Sequence, residues 1–272
     1  MTDEISGDTP LSFSQRALYI WRNLKRNLKV ISPAPDYEHY QGLDIQSDTI
    51  ASPSRVLTEH HLRNALISRF PLGEISVLEI GCGSGRLCEL LSDLGYRGRY
   101  TGIDITDKFS VNNIPGFSIE FLLGDAHDCL PDQARFDLII SVSALEHIKN
   151  DLALTDRLPL MLEPRGIELH YVPSGWGLLL YVWHGYRQYP LKYIGKIFGA
   201  NDVKVDALGG GFSAALHFFL ITLSELLLRF SARSHFQRLY KWLLNWALKL
   251  DKKCPVLPAI YAITRPNKVE NL

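Results

Sequence analysis

Three glycines at alternate positions follow an apolar run and a carboxylate in the stretch "VLEIGCGSGRL", which begins at Val77. Gly81, Gly83 and Gly85 expose bare backbone, and glycine is costly inside a helix or strand unless a turn or a close approach requires it. A strand that ends in such a turn before a helix presents backbone N–H groups to a ligand. Glu79 lies two residues before the first glycine, where its charge would oppose a phosphate and favour a cationic ligand. The spacing G-x-G-x-G also differs from the G-x-G-x-x-G of nicotinamide dinucleotide sites.

Further candidate ligand-binding residues stand where the next predicted strands end. "GIDI" places Asp104 and then Ile105 at the tip of the second strand, where a carboxylate is positioned to accept hydrogen bonds from both hydroxyls of a ribose. "GDAHD" places Asp125 after the third strand, positioned to accept from an adenine amino group, and the N–H of Ala126 would face the adenine ring. The fourth strand carries Ser141 and ends in "SVSALEHI", whose side chains would face the reacting atom.

These segments must be positioned by a sheet, and the chain supplies one. From residue 75 onward, short runs rich in β-branched residues alternate with helical runs, which predicts a doubly wound α/β sheet. "FDLIISVSAL" is almost wholly apolar, as expected for a strand buried on both faces of a parallel sheet. Such sheets bind ligands at the carboxyl ends of the strands, near the point where the strand order reverses.

The ordered set of motifs resembles the class I S-adenosylmethionine-dependent methyltransferases. "VLEIGCGSG" is similar to the first motif of that family, "GIDI" to its second-strand acid, and "GDAHD" to its adenine-contact segment. "FDLIISVSALEHI" and "LPLMLEPRG" are similar to its fourth and fifth blocks, so the resemblance covers about residues 75–173. The "EPRG" turn departs from the family pattern, because Arg165 stands where many members carry a glycine.

The resemblance implies a Rossmann-like, seven-stranded sheet with an antiparallel last strand, and S-adenosyl-L-methionine as cofactor. It implies that Glu79 and the glycine turn hold the methionine part, that Asp104 holds the ribose and that Asp125 holds the adenine. The predicted cofactor-binding residues are Glu79, Gly81, Cys82, Gly83, Gly85, Asp104, Ile105, Asp125, Ala126 and Ser141.

His147 is the candidate catalytic base, because an alcohol or phenol acceptor must lose a proton and a group with a pKa near neutrality helps. A structural role for His147 at a helix start is an equal alternative, and Glu146 is a weaker candidate. His170, His184, Tyr186 and Tyr189 could line the acceptor pocket or simply pack. The Asn/Asp-Pro-Pro-aromatic signature of enzymes that methylate nucleobase amino groups is absent from the sequence. So is an Asp–Asp–Asn metal set. A metal-free O-methyltransferase is therefore favoured, with C- and N-methylation open.

Three rival functions remain at this point. A non-catalytic protein of the same fold is one, although the intact motifs argue against it. A nicotinamide-dependent oxidoreductase is another, and the glycine spacing argues against that. A propylamine-transferring relative is the third, although the acidic polyamine site expected of it is not evident. The acceptor is predicted to be a small molecule or a lipid-linked one.

The flanking segments suggest contact with a membrane surface. We divide the chain into an arm and linker (1–50), the cofactor-binding core (51–173), a hydrophobic helical cap around a sixth strand (174–255), and a closing strand with a tail (256–272). The basic amphipathic helix predicted at 11–31 and the apolar helices at 212–253 have the character of interfacial helices.

Interfacial insertion is favoured over a membrane crossing for these helices. The chain must return to the sheet to supply the closing strand, and His217 and Glu225 interrupt the most apolar stretch. A substrate lid or a dimer interface is the alternative reading of the same helices, because hydrophobic helices are more often core than membrane-bound.

Composition narrows the remaining possibilities. The chain has 272 residues with 29 basic and 29 acidic side chains, so its net charge does not indicate a nucleic-acid partner. Its four cysteines have neither the spacing of metal ligands nor the pattern of a small secreted disulfide framework, which favours a reducing, cytoplasmic location. With the flanking helices, the expected location is cytoplasmic with peripheral contact at the inner face of a membrane. The polar opening "MTDEISGDTP" predicts no secretory signal peptide. Oligomeric state is not predictable from these features.

Overall fold

A mixed eight-stranded sheet forms the centre of the molecule. The computed structural model describes residues 5–40, 45–111, 113–131 and 133–267. The strands are β1 Tyr37–His39, β2 Glu74–Ile80, β3 Arg97–Asp104, β4 Phe117–Leu123, β5 Phe136–Val142, β6 Leu162–Pro173, β7 Lys204–Leu208 and β8 Ile260–Pro266. Their order across the sheet is β1-β7-β8-β6-β5-β2-β3-β4. Strand β8 runs antiparallel to both of its neighbours, and the other pairs are parallel.

Helices pack on both faces of this sheet. They are α1 Phe13–Lys29, α2 Pro53–Arg69, α3 Arg86–Asp93, α4 Ala126–Cys129, α5 Asp151–Thr155, α6 Gly177–Tyr181, α7 Leu191–Ile194, α8 Gly211–His217, α9 Ala232–His235 and α10 Gln237–Asp251. Short 3₁₀ turns span Leu145–His147 and Leu158–Met161, and π-helical segments span Gly195–Gly199 and Phe218–Leu227.

Local sequence explains where the first two helices begin. The side chain of Ser12 accepts from the backbone N–H of Gln15, and Oε1 of Gln15 accepts from the backbone N–H of Ser12, which forms a capping box before α1. The side chain of Ser52 accepts from the backbone N–H of Arg55 and so caps α2. Pro53 occupies the first turn of α2, where the N–H that proline lacks would have no partner within the helix. The helix predicted at 11–31 is therefore confirmed as α1, which is two residues shorter at each end.

The sheet separates two hydrophobic cores. One side packs α2, α3, α8 and α10 against the sheet, with Leu66, Leu91 and Leu244 completely buried. The other side packs the segment after β5 and the helical residues before β7, with Leu154 and Ile194 completely buried. Because β2 and β5 lie between these two cores, their residues are apolar on both faces, as a central parallel strand requires.

The predicted α/β class is confirmed, but the sheet has eight strands and not seven. The additional strand, β1, lies within the segment 1–50 that the sequence predicts to be an arm and linker, of which residues 1–4 and 41–44 fall outside the described ranges. Residues 37–39 pair in parallel with β7 at the edge of the sheet, so the backbone groups that face β7 are satisfied. The run is only three residues long and follows two prolines, which is too little for a periodicity to show.

The segment "LPLMLEPRG" resembles in sequence a helix that ends in a turn, but it forms a 3₁₀ turn that ends at Met161, and β6 already begins at Leu162. The segment 174–255 is distributed over both faces of the sheet. Residues 189–203 pack on one face, and α6, α8 and α10 pack on the other with α2.

Candidate functional site

The glycine turn lies at the point where the strand order reverses. The chain runs outward from β2 through β3 to β4 and then crosses back, so that β5 pairs with the opposite side of β2. The turn after β2 and the loop after β5 therefore open side by side at the carboxyl ends of the strands. This is the position at which open α/β sheets bind their ligands.

All three predicted glycines adopt left-handed backbone conformations, with φ of 73° at Gly81, 53° at Gly83 and 84° at Gly85. Their surroundings differ. A Cβ on Gly81 would collide with the Cβ of Ala144, whereas a Cβ on Gly83 would meet no atom of the described residues within 4 Å. Gly81 therefore permits close packing of the two loops, and Gly83 presents bare backbone to open space.

Asp104 shapes the same turn from the end of β3. One of its carboxylate oxygens accepts from the N–H of Gly83 over 2.8 Å, and the other accepts from the N–H and the hydroxyl of Thr106 over 2.8 and 2.7 Å. Partial burial raises the pKa of Asp104, but these hydrogen bonds outweigh burial and hold the pKa below its ordinary value. Asp104 is thus an ionised carboxylate at the predicted ribose position.

Glu79 is almost completely buried at the end of β2, where the hydroxyl of Tyr100 donates to its Oε2 atom. Burial raises its pKa from 4.5 to about 8, and the hydrogen bond from Tyr100 offsets only part of that shift. A nearby cation would lower the pKa again and favour the carboxylate. Glu79 is therefore suited to respond to a positively charged ligand.

A cavity of about 550 Å³ opens beside Glu79 and the glycine turn. Its walls come from the ends of β2 and β5 and from the facing sides of α2 and α3. Its lining residues are Arg55, Thr58, Glu59, Leu62, Arg63, Glu79, Gly81, Cys82, Arg86, Leu87, Glu89, Leu90, Asp93 and Val142. Volumes of this size are typical of small-molecule sites.

The predicted adenine side is apolar and open. Ile105 is 73 % exposed just beyond β3, an unusual exposure for an isoleucine beside a ligand-binding turn. Asp125 is the N-cap of α4, where its Oδ1 atom accepts from the N–H of His127 over 2.9 Å. Ala126 is buried as the first residue of that helix. An apolar surface beside a fixed carboxylate fits a flat, hydrogen-bonding ring.

Cys82 and Ser141 contribute differently from the others. The backbone N–H of Cys82 donates to the carbonyl of Ile103 and its carbonyl accepts from Gly85, which holds the turn, while burial raises the pKa of its thiol to about 12. The hydroxyl of Ser141 is completely buried and lies 2.8 Å from Nδ1 of His170. The structure thus places Ser141 in a buried polar chain beneath the site.

A second group of polar side chains follows β5. Ser143 has a φ of 51°, in the left-handed region that non-glycine residues seldom occupy, and Ala144 then packs against Gly81. The short turn Leu145–His147 comes next. The glycine turn is therefore in direct contact with the segment that carries Glu146 and His147.

Four ionisable side chains converge at this turn: Asp8, Glu146, His147 and His184. Nδ1 of His147 lies 2.7 Å from Oδ2 of Asp8, and the rings of His147 and His184 meet edge to face at 4.6 Å between centroids. Oε1 of Glu146 lies 3.6 Å from Nε2 of His184 and 4.0 Å from Nε2 of His147. We call these four residues the acceptor-side cluster.

Backbone contacts hold His184 and Asp8 in this arrangement. The N–H of Gly185 donates to Oδ1 of Asp8, and the N–H of Tyr186 donates to the carbonyl of Glu146. The hydroxyl of Tyr19, on α1, donates to the carbonyl of His184 over 2.7 Å. The N-terminal segment therefore packs onto the loop that carries His184 and is not a free arm.

The electrostatics of the cluster favour opposite charges on its members. Partial burial raises the pKa of Asp8, but the hydrogen bonds with His147 and Ser6 outweigh it, so the pKa lies below its ordinary value. Burial lowers the pKa of His184, but Glu146 and Asp8 outweigh it, so the pKa lies above its ordinary value. An ionised carboxylate thus faces a histidine that readily accepts a proton.

Sequence reasoning named Glu146, His147 and His184 but missed Asp8. Asp8 lies 139 residues before its partner His147, in an acidic, turn-forming opening segment. No spacing rule connects such distant residues, so only the fold could bring them together. The predicted pocket residues His170 and Tyr189 are completely buried in the sheet and in the core, respectively, and do not line a surface here.

Residues 48–207, more than half of the chain, match a protein family described as "Methyltransferase domain". A ubiquinone biosynthesis O-methyltransferase from Bartonella tribocorum is 26 % identical over 147 residues, which are 51 % of this chain and 56 % of the relative. A trans-aconitate 2-methyltransferase from Escherichia coli is 29 % identical over 113 residues, 41 % of this chain and 44 % of the relative. The chain spans about half the length of these curated relatives.

The similarity to solved structures extends over more of the chain. A cyclopropane synthase from Mycobacterium tuberculosis superposes with a TM-score of 0.51 at 14 % identity, covering 97 % of this chain and 95 % of that one. Identity at that level supports the shared fold alone. The fold match also includes the segments before and after the region of the family match.

Proposed function

This chain belongs to the class I S-adenosylmethionine-dependent methyltransferases, and from that premise we propose that it methylates a hydroxyl oxygen of a hydrophobic, lipid-like acceptor at a membrane surface. S-Adenosyl-L-methionine is its cofactor and supplies an electrophilic methyl group when bound. The open backbone at Gly83, the buried carboxylate of Glu79 and the ionised Asp104 suit a ligand that carries both a cationic group and a ribose.

The observation that supports O-methylation most directly is the contact between the glycine turn and the segment of the acceptor-side cluster, which brings a possible proton acceptor next to the proposed cofactor site. An acceptor hydroxyl must lose a proton before or during transfer. His147 is the proposed proton acceptor, because Asp8 fixes its ring through Nδ1 at 2.7 Å and would stabilise the imidazolium. Glu146 and His184 complete the polar wall on the same side.

A hydroxyl acceptor also agrees with the curated relatives, several of which are named ubiquinone biosynthesis O-methyltransferases. That name concerns those proteins, and the matched segment covers only part of them. For this chain it supports an aromatic or isoprenoid hydroxyl compound as the first acceptor class to test. Isoprenoid phenols and lipid-linked sugars belong to that class.

The first surface proposed to meet the membrane is α1. Its apolar stripe faces outward: Phe13 is 89 % exposed, Trp21 60 % and Leu28 77 %. Lys25 and Lys29 are exposed on the same helix, which leaves basic side chains beside an apolar stripe. An exposed apolar stripe flanked by lysines and carrying a tryptophan is typical of helices that lie in the headgroup region.

The second proposed membrane surface is the outer side of α10. Leu239, Trp242 and Trp246 are exposed there, and the two tryptophan rings stack with centroids 6.3 Å apart. The opposite side of the helix is buried against the sheet core through Tyr240 and Leu244. The outward aromatic surface is therefore additional to what the fold itself needs.

Across the described ranges, none of the helices combines the length and the apolar character that crossing a bilayer takes.

The activity is tested by incubating the intact 272-residue chain with S-adenosylmethionine that carries a labelled methyl group and a panel of acceptors. Isoprenoid phenols, lipid-linked sugars and a small carboxylic acid such as trans-aconitate form the panel. We expect label on a phenolic or alcoholic oxygen, and a fall in turnover of roughly 10²–10⁴-fold in His147→Ala with little change in cofactor affinity. Label on carbon or nitrogen, or on the carboxylate alone, would reject the proposed acceptor class.

Membrane contact is tested separately by flotation with liposomes that contain anionic lipid. The wild type should float, and Lys25→Glu/Lys29→Glu should remain at the bottom of the gradient, because each basic side chain near an anionic surface contributes about 1 kcal/mol. The matched control is Arg69→Glu/Arg97→Glu, which reverses two exposed basic residues near the start of the sheet strands. A wild type that stays monodisperse and does not float favours a lid or a dimer interface.

A further inference from the structure

We propose that the acceptor-side cluster of Asp8, Glu146, His147 and His184 is a binding site for a divalent transition-metal ion. The ligand atoms that Asp8, His147 and His184 offer lie within 4.8 Å of one another. The sequence predicted no metal site, because its candidate ligands do not stand at the short, regular spacing of known metal-binding motifs. The cluster combines three segments that are far apart in the chain, so no spacing rule could identify it. Its members come from the N-terminal segment, from the end of β5 and from the loop after α6.

Glu146 is the independent observation that points to a cation. Its side chain is 1 % exposed, and neither carboxylate oxygen has a hydrogen-bond partner among the described residues. A buried carboxylate without such a partner is strongly unfavourable unless a positive charge balances it. The groups of the cluster that could carry this positive charge are the imidazoles of His184 and His147. Their Nε2 atoms lie 3.6 and 4.0 Å from Oε1 of Glu146, which is beyond hydrogen-bond distance.

Those distances fit a metal centre better than a hydrogen-bonded pair. In a tetrahedral site with metal–ligand bonds of about 2.1 Å, neighbouring ligand atoms lie roughly 3.4 Å apart. The separations of Oε1 of Glu146 from Nε2 of His184 and of His147, 3.6 and 4.0 Å, exceed that value by about 0.2 and 0.6 Å. An inward movement of the Glu146 side chain would therefore bring its Oε1 atom and the imidazole nitrogens to the spacing of neighbouring metal ligands.

The second contact of His147 also agrees with a metal ligand. Histidines that bind metals with one ring nitrogen usually donate the other N–H to a carboxylate or carbonyl, which fixes the ring. Nδ1 of His147 makes this contact with Asp8 at 2.7 Å, which leaves Nε2 for the ion. Asp8 then either orients His147 or, through its own oxygen, completes the coordination.

The donor set indicates the class of ion. Two imidazoles and one or two carboxylates suit Zn²⁺, Fe²⁺, Co²⁺ or Mn²⁺, whereas an oxygen-only set would suit Mg²⁺ or Ca²⁺. Part of the cluster is accessible: the side chains of Asp8, His147 and His184 are 40, 32 and 39 % exposed. An ion there would keep an open coordination position toward the acceptor side.

The role of the ion rests on the proposed function, whereas the binding itself does not. An ion beside the methyl-transfer site would coordinate the acceptor oxygen and lower the pKa of its hydroxyl, whose proton would pass to solvent. His147 would then be a ligand and not the base. Because His147→Ala lowers turnover in either case, activity alone does not separate these roles, and direct metal binding does.

The test is a titration of the intact 272-residue chain with Co²⁺ after treatment with a chelator, without cofactor or acceptor. Binding is measured by the visible absorption of the bound ion and by calorimetry. We expect one Co²⁺ per chain and displacement by Zn²⁺. His184→Ala and Glu146→Gln should weaken binding by about 10–100-fold, and Asp8→Asn, which alters an exposed residue, should weaken it by about tenfold. His235→Gln is the control, because His235 is exposed on α9 and lies outside the cluster.

The absence of a stoichiometric Co²⁺ signal in the wild type would overturn the metal site. Equal affinity in wild type, Asp8→Asn and His184→Ala would also overturn it. Far-UV circular dichroism shows whether each variant is folded, and Asp8→Asn keeps the test decisive if the Glu146 variant is not. A chain that binds Co²⁺ but transfers no methyl group to oxygen would refute the proposed function and leave the metal site standing.

Discussion

The carboxylate of Asp104 accepts a hydrogen bond from the backbone N–H of Gly83 over 2.8 Å, which ties the tip of β3 to the glycine turn after β2. Thr106 donates twice to the other carboxylate oxygen. Asp104 therefore has a structural task in addition to its expected contact with the ribose. Its replacement should affect both the shape of the turn and the affinity for the cofactor.

Asp104→Ala is expected to weaken binding of S-adenosylhomocysteine by roughly 1–3 kcal/mol, because ligand hydroxyls and the N–H of Gly83 lose their acceptor. Calorimetry measures the affinity, and urea unfolding should show a smaller loss of stability in the same variant. Asp107→Ala is the matched control, since Asp107 is exposed three residues further on. Unchanged affinity in Asp104→Ala would remove Asp104 from the cofactor site.

Substitutions in the glycine turn should separate binding from folding. Gly83→Arg should leave the fold intact and abolish cofactor binding, because its side chain would project into the open space above the turn. Gly83→Ala should cost only about 1 kcal/mol of stability for its positive φ. Gly81→Ala should lose about 1–3 kcal/mol more, because its methyl group collides with Ala144. Equal stabilities of the two alanine variants, measured by urea unfolding, would contradict this assignment.

The sequence predicted most of the fold because its signals are local. Each signal lies within one short window of sequence: the glycines after β2, the acid at the end of β3 and the apolar run of β5. In the structure the glycines and the acid lie at the expected strand ends, and the apolar run forms β5. β1 escaped prediction because three residues at a sheet edge have no periodicity. Its pairing with β7 depends on a strand some 170 residues later in the chain.

The acceptor-side cluster was predictable only in part, because sequence signals are local and the cluster includes residues that are distant in the chain. Glu146 and His147 follow β5 directly, so their position could be inferred from the strand. Asp8 reaches them only because Tyr19 on α1 docks on the loop of His184. Ser141 stands on the expected strand, but its side chain turns inward to His170, a direction that the position on the strand alone did not predict.

The buried pair Asp151–Arg187 should be a main source of stability for the loop that carries His184. Both residues are at most 2 % exposed, and Tyr193 also donates to Asp151 over 2.9 Å. Arg187→Ala should lower the free energy of unfolding by about 3–5 kcal/mol, because it leaves a buried carboxylate without its cation. Urea unfolding checks this, with exposed Arg69→Ala as the control. A loss below about 1 kcal/mol would show that the pair is dispensable.

The buried carboxyl of Glu79 should make stability depend on pH. Its pKa is raised from 4.5 to about 8 in the folded chain, mainly by burial. Below pH 4.5 both folded and unfolded chains hold the proton. As the pH rises toward 8, the unfolded chain releases it and the folded chain keeps it. The free energy of unfolding should therefore fall by at most about 1.4 kcal/mol per pH unit through this window, and the contribution should be constant above it.

Glu79→Gln isolates that contribution, because glutamine keeps the shape of the side chain and does not titrate. We expect the variant to gain stability relative to the wild type as the pH rises from 4.5 to 8, while their difference stays constant above that range. Urea unfolding at several pH values measures it, and subtracting the two curves removes the contributions of the histidines. Parallel stability curves of the two proteins across this pH range would show that the pKa of Glu79 is not raised in the folded chain. Glu79 would then be ionised before a cationic ligand binds, and the ligand would not need to displace its proton.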